Sequence, residues 1–66
     1  MKIFVNGEIK PIPDASKLVD LLKHLELRRD VIVVEVNRQI VDKALDDRLV
    51  LSEGDQVELI QFVGGG

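Results

Sequence analysis

Sixty-six residues with a 45% apolar share make one small domain, too short for two cores and too apolar for a disordered segment. A net charge of −3 argues against a phosphate-backbone partner, and two Phe with no Trp or Tyr leave few platforms for stacking bases. The absence of cysteine excludes disulfides, thiolate metal sites and a cysteine nucleophile, and it fits a reducing cytoplasm.

Lys2-Ile3-Phe4-Val5 reads as a strand, leading directly from Met1 with no long apolar leader. Asn6-Gly7 is a strong hairpin signal, because both positions of a type I′ turn need φ > 0. Glu8-Ile9-Lys10 returns as the second strand, and Pro11 and Pro13 stop it. Ser16 is the expected N-cap of a helix carrying Leu18, Leu21, Leu22 and Leu25 on one face and ending near Glu26. Arg28-Arg29 is expected at the surface.

Ile32 to Val36 is the third strand, with Val34 and Val36 inward and Glu35 toward water. The longest apolar run, Val31 to Val34, is far below the ~20 residues a membrane span requires. Asn37-Arg38 turns into a short fourth strand, Gln39 to Val41. Asp42 to Arg48 is a polar segment of one irregular helical turn, anchored by Ala44 and Leu45. Leu49 and Leu51 reach the core, Glu53-Gly54-Asp55 turns, and Gln56 to Val63 is the last strand.

The order β-β-α-β-β-β predicts an α+β, ubiquitin-like β-grasp. One main helix packs on a mixed sheet of about five strands, with the first and last parallel at its centre. Residues 1–63 form the domain and 64–66 a flexible glycine tail. Glycine offers a strand no packing, yet at a terminus it makes a slim tether. Val63 to Gly66, extended, reaches about 13 Å at roughly 3.3–3.6 Å per residue, enough to enter a narrow channel in another protein. The terminal carboxylate is then the working group.

A second candidate is a docking surface. If Ile3, Val5, Val57, Leu59 and Val63 point inward, Phe4, Ile60 and Phe62 point outward and make one apolar patch beside the tail root. A register shifted by one residue instead places the phenylalanines in the core. His24 reads as a solvated helix residue, and Asp46-Asp47 and Glu53/Asp55 as solvated or turn-forming carboxylates rather than metal ligands. No catalytic cluster stands out.

The chain resembles the thiamine-biosynthesis sulfur-carrier proteins over essentially its whole length. The resemblance rests on Met-Lys-Ile-Phe-Val-Asn-Gly at the start, Ser16 to Leu22, Val36 to Val41, Leu51 to Leu59 and the final Gly65-Gly66. It implies a protein co-substrate rather than an enzyme, with no permanently bound cofactor. A ubiquitin-activating-like enzyme uses ATP to adenylate Gly66, since an α-carboxyl, ordinarily titrating at about 3.3–3.7, is an inert carboxylate near neutral pH. A persulfide donor then leaves a thiocarboxylate, and thiazole synthase takes the sulfur. Gly64 and Gly65 thread the tail, Gly64 adding slack. The same fold and tail also suit a molybdopterin-synthase small subunit, whose chains are usually longer, or conjugation to lysines. A β-grasp RNA- or protein-binding module shares the fold without needing the tail.

Overall fold

The computed structural model describes residues 1–61 of the chain. Asn6 and Gly7 take φ of 49° and 83°, so the expected turn joins β1 (Lys2–Val5) to β2 (Glu8–Pro11). Pro11 closes β2 opposite Lys2 instead of stopping it earlier. β2 is an edge strand, where a missing donor is tolerated. Asn37 and Arg38 also have positive φ, 51° and 70°, and join β3 (Ile32–Val36) to β4 (Gln39–Ile40). β5 (Gln56–Gln61) lies at the centre of the order β2-β1-β5-β3-β4, parallel to β1 and antiparallel to β3. Phe62 and Val63, expected at the end of this strand, lie outside the described residues.

Helix α1 (Leu18–His24) is shorter than its periodicity suggests. Lys17, not Ser16, is the N-cap, because the Ser16 hydroxyl donates to the Pro13 carbonyl at 2.6 Å. The Asp20 carboxylate closes the helix start instead, accepting the Lys17 N–H at 2.9 Å. At the other end Glu26 adopts φ 57°, which turns the chain out of the helix. The Glu26 N–H then donates to the Lys23 carbonyl at 3.0 Å and the Leu27 N–H to Leu22 at 3.1 Å, a paired closure of the last turn. Leu18, Leu21 and Leu22 pack into one core with Ile3, Val5, Val34, Leu51 and Val57. Burial of each of these leucines contributes about 1.5–3 kcal/mol.

Two surface expectations are corrected by one ion pair. Arg28 is exposed as expected, but Arg29 is largely covered and donates from Nε to Asp46 at 2.7 Å. Its two terminal nitrogens donate to the carbonyls of Ile32 and Val41, at 3.0 and 2.7 Å. Asp46 is buried, and its carbonyl accepts the Val19 N–H at 2.9 Å. The segment after β4, including the 3-10 turn Lys43–Leu45, is therefore pinned through Asp46, whereas Ala44 and Leu45, its expected anchors, are exposed. Among the described residues no helix is long and apolar enough to cross a membrane.

Candidate functional site

The central strand carries the chain toward its glycines, and two asparagines hold that strand from opposite sides. Both occupy the first position of a positive-φ turn, a conformation asparagine tolerates better than most residues. At the start of β5, Asn37 Oδ1 accepts the Gln56 N–H at 3.0 Å while the Asn37 N–H donates to the Gln56 carbonyl at 2.8 Å. Near its end, Asn6 Oδ1 accepts the Leu59 N–H at 2.8 Å and Nδ2 reaches the Leu59 carbonyl at 3.4 Å. The Asn6 side chain thus continues the pairing of β5 beyond the last residue of β1. Gln61 follows two residues later and borders a groove of about 390 Å³ walled by Leu25, Leu27, Ile32 and Leu59. Gly64, Gly65 and Gly66 lie outside the described residues, as does Phe62.

Among the described residues the helix covers one side of the sheet, and Ile9, Ile40 and Ile60 on the other side are exposed. On the covered side Ile3, Val5 and Val57 are buried and Leu59 is largely covered. Phe4 and Ile60 consequently lie on that other side, the former half-buried and the latter 48% exposed. They share that face but are not neighbours. Phe4 is level with Gln56, so Ile60 stands four residues further along β5, about 13 Å away at roughly 3.3 Å per residue. Each finds a different apolar neighbour across the ladder: Ile60 opposes Val33, and Phe4 opposes Ile9. Between the two lies Glu58, directly opposite Glu35. Alternation within a strand gives the face of a side chain, whereas its position along the neighbouring strand depends on register, so the sequence carried no sign of this division.

The other candidates have local tasks. His24 is exposed. Glu53 accepts the Lys2 N–H at 3.0 Å, and Asp55 accepts the Ser52 N–H at 2.8 Å and Asn37 Nδ2 at 3.0 Å, which ties the turn before β5. Among the described residues no group of three or more His, Cys, Asp or Glu is placed to hold a metal ion.

Five strands in this order, one packed helix and a central last strand define a ubiquitin-like β-grasp protein. The crystal structure of a thiamine biosynthesis protein (ThiS) from Geobacter metallireducens superimposes with a TM-score of 0.86 at 28% identity, covering 100% of both chains. The ThiS family model matches residues 3–66, and the chain belongs to the ThiS family. A sulfur carrier protein ThiS from Bacillus subtilis is 33% identical over 63 residues, covering 94% of this chain and 96% of the relative. A thiazole synthase from Magnetococcus marinus is 36% identical over 66 residues, where all of this chain spans 20% of the relative's length.

Proposed function

We propose that this chain carries sulfur as a thiocarboxylate on Gly66 and delivers it for formation of the thiamine thiazole. The observation that carries the reading is the match to the ThiS family through residue 66, which takes in Gly64, Gly65 and Gly66. An ATP-dependent adenylating enzyme converts the Gly66 carboxylate to an acyl adenylate, giving the inert carboxylate a good leaving group. The outer sulfur of a persulfide donor attacks the acyl carbon and expels AMP, giving an acyl disulfide; a thiol then attacks the donor's sulfur, forming a disulfide with it and releasing the Gly66 thiocarboxylate, which thiazole synthase consumes. That a thiazole synthase contains a segment similar to this whole chain supports the choice of acceptor. Gly64 and Gly65 thread the tail into each partner. Phe4, Ile60 and Phe62 contribute to docking, with Phe4 and Ile60 acting as separate points on the sheet face away from the helix.

The test is intact-mass measurement after incubation with ATP, a sulfur donor and the adenylating enzyme. Exchange of one oxygen for sulfur is expected, and deletion of Gly66 abolishes it without unfolding the domain. An unmodified mass beside an enzyme proven active overturns the proposal.

A further inference from the structure

The groove bordered by Gln61 presents an apolar rim of the core at the point where β5 leaves the described residues. Leu25, Leu27 and Leu59 pack against the core there, yet each is only partly buried. β3 runs antiparallel to β5 and pairs Ile32 with Gln61, so the chain before Ile32 lies beyond Gln61 in the direction that β5 takes. Leu27 belongs to that preceding stretch, which sets the groove along the path of the residues after Gln61. Asn6, also on the groove wall, holds Leu59 by both backbone groups and fixes the line on which β5 departs. Side-chain alternation then selects the residue that can enter. Val57 is buried, Leu59 is partly buried and Gln61 borders the groove, so the alternation assigns Val63 to the groove side and Phe62 to the side of Ile60.

We propose that the occupant of this groove is Val63 of the same chain, seated against Leu25, Leu27 and Leu59 as a continuation of β5. A valine side chain covers an apolar rim without bringing in a polar group that needs a partner. Tethered two residues from Gln61, it meets the groove at an effective concentration of order millimolar, which favours it over the side chain of a separate molecule. The consequence concerns reach. With Val63 seated, only Gly64, Gly65 and Gly66 extend from the domain, about 10 Å at roughly 3.3–3.6 Å per residue. Unseated, the five residues after Gln61 span about 17 Å. Val63 is thus a positioning residue: it starts the tether at Gly64 and narrows the volume that the Gly66 carboxylate samples, which favours reaction in a partner's channel. This last step rests on the carrier reading, whereas the seating does not.

NMR of the full chain with labelled methyl groups tests the seating. Nuclear Overhauser contacts from the Val63 methyls to those of Leu25, Leu27 or Leu59 are expected. Their absence overturns the proposal, as do contacts from Phe62 to these leucines in place of Val63. A stability cycle of Val63→Ala, Leu27→Ala and the double variant reads the same contact, and Leu27 is exposed enough for its truncation to leave the domain folded. The combined loss in the folding equilibrium constant should fall short of the product of the single losses by about twofold or more, as for residues in contact. A simple product overturns the seating. The positioning role is read from thiocarboxylate formation at varied carrier concentration. Val63→Gly should lower kcat about tenfold with KM little changed, since the loosened tether presents the carboxylate less often. Val63→Ile should keep the parent rate. An unaltered kcat in Val63→Gly overturns the positioning role. Failure to convert the parent removes the carrier reading, while the methyl contacts and the stability cycle still decide the seating.

Discussion

The side chain of Asn6 grips Leu59 by both backbone groups, accepting from its N–H at 2.8 Å and reaching its carbonyl at 3.4 Å. The hairpin turn at one end of the chain is thereby fastened to the strand at the other, 53 residues away. Replacing Asn6 with glycine preserves the positive-φ turn while deleting both contacts. The expected loss is about 1–2 kcal/mol, as for removal of one or two hydrogen bonds. Exchange of the Leu59 amide should accelerate by about tenfold, the local counterpart of that loss. An Asn6→Gly protein whose Leu59 amide remains as protected as before would show that the clamp contributes nothing.

The Arg29–Asp46 pair makes a stronger claim on stability. Both side chains are mostly buried, at 15% and 11% exposure, so removing one partner strands the other's charge. Asp46→Ala should cost about 3 kcal/mol or more in urea unfolding, as for a broken buried ion pair. Replacing both partners with apolar residues should recover part of this. A loss below about 0.5 kcal/mol for the single variant would place the pair with ordinary surface contacts.

Helix α1 is closed by Glu26 in a conformation that favours glycine. Glu26→Gly should raise stability by about 0.5–1 kcal/mol, relief of the left-handed strain exceeding the added chain entropy. Denaturant midpoints compare the two proteins directly, and a destabilised variant would mean that the glutamate side chain contributes more than its backbone costs.

These results separate what periodicity reveals from what it hides. Asn6-Gly7 and the spacing of Leu18, Leu21 and Leu22 are local signals, and they placed the hairpin and the helix face without help from the rest of the chain. Arg29 and Asp46 were not legible, because two charged residues 17 positions apart read as solvated until the fold joins them. Ser16 has the chemistry of a cap, but its hydroxyl is taken by Pro13. Phe4 and Ile60 were assigned the correct face by alternation, and only register shows that Glu58 divides them.

The Asp30 carboxyl titrates below the usual aspartate range, chiefly because Arg28 donates a hydrogen bond to it at 2.7 Å. A lowered folded value means that its contribution is complete above the unfolded value of about 3.9 and is lost as pH falls through the folded one. Because Asp30 is exposed, the effect belongs in an NMR titration of its side chain rather than in an unfolding curve. Arg28→Gln should raise the midpoint toward the free value. An unmoved midpoint would exclude Arg28 as the cause.

Placing β5 in the middle of the sheet also orders events in time. β1 waits for a neighbour more than 50 positions later, since Phe4 pairs with Gln56 and Val5 with Val57. Contacts of such sequence separation slow folding, and during synthesis β1 and β3 lack the strand that joins them until β5 leaves the ribosome. A nascent chain interrupted before β5 is left as two unjoined hairpins and a helix, open to proteolysis. Synthesis of the strand that leads to the glycines is thus the same event that permits the domain to close.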